Sequence, residues 1–368
     1  MTDWYKVADV SRVDSPALLV YPERMRANIR LLKEMVSGNT ARLRPHVKTH
    51  KMLEVSQMML AEGIQQFKCS TIAEAEMLAL SGAPDVLMAY QPVGPKVARW
   101  VDLIAAYPET HFSCLVDHVN VIKALGATAQ IKHKKLSVYL DLDVGMGRTG
   151  APLKRVLSLW EELQLQDDLR LEGLHAYDGH IHDADPAVRK MESDASYAML
   201  LEAYNLLQPV CEYPLKLVIG GSPSFTSHAQ RDHVICSPGT FVFWDWGYRQ
   251  RIAEQKFDYA AVLLTRVISV IDETHVCVDL GYKAVASDPP LPRVLMLNAP
   301  DAVPAFQSEE HLVLTVNDSQ VYPLGTTLYA VPTHICPTVA LYDRVQVIED
   351  EQQVTTWPVM ARNRMLNF

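Results

Sequence analysis

The chain has 368 residues, 49% hydrophobic and 21% charged, an ordinary globular balance in a length too great for one simple core. Its net charge of -9 excludes a nucleic-acid partner, because phosphate binding needs a basic face. No apolar run approaches the ~18 residues of a membrane span. The opening MTDWYKVADV shows no signal-peptide core, and six scattered cysteines without a CxxC pair fit reduced thiols, so a cytoplasmic protein is expected.

In chain order, a helix is expected over 22–36, a first strand over 42–47 and a helix over 52–63. Strand patterns recur at 66–69, 85–89, 111–115, 136–142, 171–175, 215–219 and 233–236, with helix-length stretches between most of them. Thr71-Ile72-Ala73-Glu74 has the form of a capping box at the head of a helix over 71–81. Pro95, Pro152 and Pro186 stand where a first helical turn tolerates proline. The link between the seventh and eighth strands is short, and its helix is the least marked.

Eight strands alternating with helices predict a closed (β/α)8 TIM-type barrel, with a doubly wound open sheet as the structural alternative. After about Lys256 the texture changes to strands without helices, at 261–270, 276–280, 294–297, 311–316, 327–331 and 344–348. The expected division is a barrel over 21–255 and a β-barrel-like domain over 256–368, the latter joined by residues 1–20.

Reactive groups in a barrel cluster where strands end and the following loops begin. The first strand ends in Arg44-Pro45-His46-Val47-Lys48-Thr49-His50-Lys51, the fifth runs into Asp143-Val144-Gly145-Met146-Gly147-Arg148, and the sixth ends in His175-Ala176-Tyr177-Asp178-Gly179-His180. The seventh gives Gly220-Gly221-Ser222-Pro223 and the eighth Ser237-Pro238-Gly239-Thr240. Glycines and hydroxyls in the last two loops suit a phosphate, which barrels commonly hold there on backbone N–H groups; tight turns are the plain alternative. Partial desolvation at a barrel mouth favours the free amine that Schiff-base chemistry needs, so Lys48 is a candidate nucleophile, against the alternative of a solvated basic loop. Arg148 could reach an anion or a cofactor ring, or form a salt bridge with Asp141 or Asp143.

Far along the chain, Pro332-Thr333-His334-Ile335-Cys336-Pro337 spaces an imidazole and a thiol two apart. On an extended segment these would point the same way and could share a metal ion, with zinc the natural choice for that donor pair. His180 and His182 form a second two-apart pair, read as surface or cofactor-adjacent residues.

Taken together, the lysine octapeptide, Asp14-Ser15-Pro16-Ala17-Leu18, the Asp143–Arg148 segment, Tyr177-Asp178-Gly179-His180 and Gly220-Gly221-Ser222-Pro223 resemble, in the same order, the D-serine dehydratase and D-threonine aldolase family. These are fold-type III pyridoxal-phosphate enzymes related to alanine racemase. The resemblance implies pyridoxal 5'-phosphate held by Lys48, its phosphate held by Gly221, Ser222, Gly239 and Thr240, and its ring flanked by Arg148, His175 and Tyr177. It implies a divalent metal on His334 and Cys336, zinc ahead of manganese or magnesium, and a homodimer. Within that family the aldolases show His-x-Asp and the dehydratases His-x-Cys, so the implied activity is dehydration of a small D-3-hydroxy amino acid to a 2-oxo acid and ammonia. Retro-aldol cleavage to glycine and an aldehyde is the first alternative, with a racemase or a non-catalytic cofactor carrier behind it.

Overall fold

The computed structural model describes residues 3–368. In chain order it runs β1 (Ala17–Val20), α1 (Pro22–Glu34), α2 (Leu53–Ala61), β2 (Gln66–Cys69), α3 (Ile72–Leu80), β3 (Asp85–Met88), α4 (Pro95–Ala106), β4 (His111–Val116), α5 (Val119–Lys132) and β5 (Leu136–Leu142). It continues with α6 (Val156–Gln164), β6 (Leu169–Ala176), α7 (Pro186–Leu207), β7 (Lys216–Val218), α8 (Phe225–His228), β8 (Val234–Ile235) and α9 (Trp246–Arg251). Then come β9 (Ala261–Asp272), β10 (His275–Val278), β11 (Val294–Met296), β12 (Val303–Gln307), β13 (Leu312–Thr315), β14 (Thr327–Pro332), α10 (Ile335–Val339), β15 (Arg344–Glu349) and β16 (Gln352–Pro358). No described helix is long and apolar enough to cross a membrane.

The chain forms two compact units. One takes Leu32–Lys48, Leu53–Gly239 and Asn363–Phe368; the other takes the chain up to Leu31, Thr49–Met52 and Thr240–Arg362.

In the first unit β2 to β8 pair in parallel in sequence order. Their apolar runs are buried, as strands covered on both faces require. The expected strand over 42–47 is not a regular strand. Pro45, which has no N–H to give a ladder, interrupts it. Around that break, single parallel bridges at Leu43 to Cys236 and His46 to Lys68 join the β8 side to β2 and close the ring. Arg44, fully buried in this seam, puts one guanidinium nitrogen 2.7 Å from Asp85 and the other 2.7 Å from Gln66. The interior is filled by Leu87, Leu115, Tyr139 and Val218. The cap of α3 is shifted from the expected box: Thr71 accepts the Glu74 N–H, but Glu74 accepts from the Ser70 N–H, one residue earlier. Pro95 and Pro186 open helices, whereas Pro152 precedes a short 3-10 turn, Leu153–Arg155.

In the second unit the strands form a mixed sheet in the order β12, β13, β10, β9, β1, β15, β16, with β14 also on β9 and β11 on β14. β1 is fully buried and pairs antiparallel with β9 and parallel with β15. Tyr5, Val13, Leu19, Tyr21, Val262, Leu264, Tyr329 and Ile348 form a core on this sheet. Two strands escape the sequence pattern. β12 carries Pro304 and breaks register beside it. β16 is polar and joins β15 through Asp350 and Glu351, both at positive φ, where a hairpin turn usually advertises itself with Gly or Asn.

Candidate active site

The barrel unit gathers positive charge around one aromatic ring. Tyr177 follows β6, and its ring centre lies 5.8 Å from Lys48 Nζ, 5.7 Å from Lys68 Nζ and 5.1 Å from the Arg148 guanidinium. No carboxylate stands within ion-pair distance of these three cations among the described residues. The salt bridge considered for Arg148 does not form. Asp141 is taken by His175, at 2.7 Å from Nδ1, and Asp143 accepts the N–H groups of Gly145 and Gly147.

Lys48 is half-buried in a 3-10 turn, Val47–Thr49, rather than on a flexible basic loop. His175 is buried at the end of β6. Burial, reinforced by Lys68, pushes it down to about 4 against the pull of Asp141, so its ring is neutral. With Nδ1–H turned to Asp141, Nε2 is a bare acceptor, buried and without a partner. Lys68 was not anticipated as a site residue. The signal was one charge inside a buried four-residue strand. Burial pushes it down to about 7, Lys48 and Arg44 push the same way, and Asp141 and Asp178 oppose.

The glycine loops behave as a cradle. Gly220 has φ +96, a conformation L side chains avoid, and a Cβ there would come 2.7 Å from His228. A Cβ on Gly221 would stand 2.8 Å from the Tyr177 ring. The Gly239 N–H donates to Ser222 Oγ at 3.3 Å, tying the loops after β7 and β8 together. Ser237 Oγ, just before, is buried and partnerless. Behind them Asp178 accepts from Ser224 and pairs with His228 at 2.7 Å, a fully buried set that holds the residue after Tyr177. A small cavity of about 170 Å³ beside Asp141 is lined also by Thr149, Tyr90, Gln91 and Leu115. Unbalanced cations, an orphan imidazole nitrogen, an orphan hydroxyl and a glycine cradle are together what a phosphorylated aromatic aldehyde needs.

In the other unit, the segment carrying His334 and Cys336 is not extended. His334 is the N-cap of α10 and Cys336 lies in its first turn, where Pro337 is tolerated. Cys336 nevertheless stays near enough to act on the His334 imidazole. His334 Nδ1 is 2.5 Å from Asp288, which sequence patterning gave no reason to single out. Burial acts to lower His334, but Cys336 and Asp288 outweigh it and raise it to about 9. Cys336 Sγ is 3.1 Å from Thr49 Oγ1 and 3.6 Å from Thr240 Oγ1. Asp245 fastens the segment: it caps α9 through the Tyr248 N–H and accepts the Ile335 N–H at 3.1 Å. Among the described residues no group of three or more His, Cys, Asp and Glu forms a metal cluster. An imidazole backed by a carboxylate beside a thiol is still the donor chemistry of a two-residue metal site with open positions. His180 is bonded through its backbone oxygen by His182, and its ring stands beside Gly145.

A family model of the alanine racemase N-terminal domain matches residues 20–245, and a serine dehydratase domain model matches 260–348. Among curated proteins, a 3-hydroxy-D-aspartate aldolase of Paracoccus denitrificans (strain Pd 1222) is 28% identical, covering 97% of this chain and 94% of its own length. A D-threo-3-hydroxyaspartate dehydratase of Delftia sp. (strain HT23) is 26% identical, covering 94% and 97%. Its solved structure superposes with a TM-score of 0.85 at 23% identity over 94% of this chain and 97% of that one. The dehydratase of that name has also been solved with a histidine replaced by alanine and, in a metal-free form, with a cysteine two positions further on replaced. A D-threonine aldolase from Filomicrobium marinum superposes with a TM-score of 0.87 at 24% identity, covering 95% and 96%.

Proposed function

The chain belongs to the family defined by the alanine racemase N-terminal domain, and from that premise we propose that it is a pyridoxal 5'-phosphate- and metal-dependent lyase that dehydrates a D-3-hydroxy amino acid. The observation that carries the dehydratase reading is His334 at the N-cap and Cys336 in the first turn of one short helix, with Asp288 bonded behind the imidazole. Two dehydratase mutants give independent support, since the cysteine replaced in the metal-free one stands two residues after the histidine replaced in the other, the spacing found here.

In this reading Lys48 holds the cofactor through its aldehyde carbon. Gly221, Ser222, Gly239 and Thr240 hold its phosphate, and Arg148, His175 and Tyr177 flank its ring. The bound cofactor supplies an electron sink for the pair left at the substrate's Cα. With substrate bound, the Lys48 amine would take the proton from Cα. Neutral His175, anchored by Asp141, offers an acceptor and no charge. His334 and Cys336 would hold the divalent ion, zinc ahead of manganese or magnesium. That ion supplies Lewis acidity at the β-hydroxyl, turning it into a better leaving group. Asp288 holds the imidazole in one orientation for that task. The same proposal divides the chain functionally into 21–255 and 256–368 with 1–20, and makes it a cytoplasmic homodimer.

Retro-aldol cleavage is the second reading, favoured by a relative named as a 3-hydroxy-D-aspartate aldolase over nearly the whole chain. Products decide between the two. Purified protein supplied with pyridoxal phosphate and zinc is expected to turn D-threonine into 2-oxobutyrate and ammonia, and D-threo-3-hydroxyaspartate into oxaloacetate and ammonia. Glycine and an aldehyde would make it an aldolase and end the argument from the cysteine.

A further inference from the structure

Lys68 sits third in β2, 3% exposed, where the strand's buried pattern has no use for a charge. The charged groups facing it are Lys48, Arg44, Asp141 and Asp178, and His175 stands within its field. Three of these are already engaged: Arg44 with Asp85, Asp141 with His175, and Asp178 with His228 and Ser224. Among the described residues no carboxylate lies within ion-pair distance of Lys68 or Lys48, and the two amines stand 5.7 and 5.8 Å from the same ring centre. A buried cation left without a counter-charge is costly, so the pairing calls for an anion.

Ring order says which anion. The segment leading to Lys48 lies between β8 and β2, bridged to Cys236 on one side and to Lys68 itself on the other. On the pyridine ring of pyridoxal phosphate the aldehyde carbon is flanked by two arms, the phosphate-bearing methylene and the phenolate oxygen. With the aldehyde on Lys48 and the phosphate in the loops after β7 and β8, the remaining flank would face β2. We propose that Lys68 is the counter-cation of the cofactor's phenolate oxygen, and that it fixes which way round the ring sits on Lys48. The proposal rests on the cofactor reading above.

Three measurements test it. First, the pH midpoint of the bound cofactor's visible band is compared among wild type, Lys68→Gln and Lys68→Arg. A nearby cation stabilises the deprotonated, more negative form, so Lys68→Gln is expected to raise the midpoint by a unit or more, and Lys68→Arg to restore it. Second, equilibrium dialysis is expected to show tenfold or weaker retention of pyridoxal phosphate in Lys68→Gln. Third, and independent of any variant's folding, the ε-carbon resonance of Lys68 in wild-type protein labelled with [6-13C]lysine is titrated with and without cofactor. Its midpoint near neutrality in the apoprotein is expected to move upward when the phenolate arrives. An ε-carbon midpoint indifferent to cofactor, or a Gln variant matching wild type in midpoint and retention, overturns the proposal while leaving the cofactor reading intact. A wild type that takes up no pyridoxal phosphate overturns both.

Discussion

Lys48, one of three cations around the Tyr177 ring, is the proposed holder of the cofactor, and its removal is the plainest test at the scale of single residues. Lys48→Ala is expected to abolish the visible absorbance of protein desalted after incubation with pyridoxal phosphate; a persisting band would remove Lys48 from its role. Asp288 offers a second test. It touches no proposed reacting atom, yet it orients the imidazole of His334, and outer partners of this kind are worth roughly 10–100-fold in metal affinity. Asp288→Asn is therefore expected to weaken zinc binding by about that factor in competition with a chelating dye. Unchanged affinity would show that Asp288 is a bystander. At this scale most of the proposed site could be picked out in advance, because Lys48, Arg148, His175, Tyr177 and the glycine loops fall at strand ends. Asp288 and His228 could not: each acts through a partner distant in sequence, and nothing local marks it.

Elements were legible where their burial pattern was regular and obscure where a proline or a turn broke the rule. β2 to β8 and β9 follow continuous apolar runs and begin within a few residues of expectation. The segment before Lys48 has strand-like bonding, with the Arg44 N–H on Cys236 and the His46 N–H on Pro238, but Pro45 splits it. Pro337, in a segment read as extended, instead sits in the first turn of α10. The seam closed around Pro45 depends on Arg44, whose guanidinium has no exposure and two side-chain partners. Removing one member of such a buried pair typically costs about 3–5 kcal/mol. Arg44→Ala is expected to lower stability in chemical denaturation by an amount near the lower end of that range, since Asp85 keeps some contact with water. A change within experimental error would mean that the paired ladders alone hold the ring.

For the whole molecule, pH is the most direct probe. His175 in the barrel unit and His50 in the other are buried and neutral, pushed down to about 4 and about 3 chiefly by burial. An unfolded chain would protonate both near 6.5. Between those values the unfolded state binds more protons, so stability is complete above about pH 6.5 and falls on acidification toward 4. The shift at His175 alone corresponds to roughly 3 kcal/mol. The melting temperature of the apoprotein is expected to drop steeply over this window, and His175→Asn to shallow the drop; equal slopes in the two proteins would show that the imidazole is not desolvated as described.

The pairing of β1 carries one more consequence. This strand leaves a ribosome well before its partners: its neighbours on β9 emerge roughly 240 residues later and those on β15 later still. At ~5–20 residues per second of synthesis, a fully apolar tetrapeptide waits on the order of 10–50 s for anything to pair with. During that interval the barrel's strands, each beside its successor, have partners at once. The birth of this enzyme is therefore two-tempo: β1 stays unpaired while the barrel's strands find their neighbours, and synthesis halted short of β9 leaves that strand without a home.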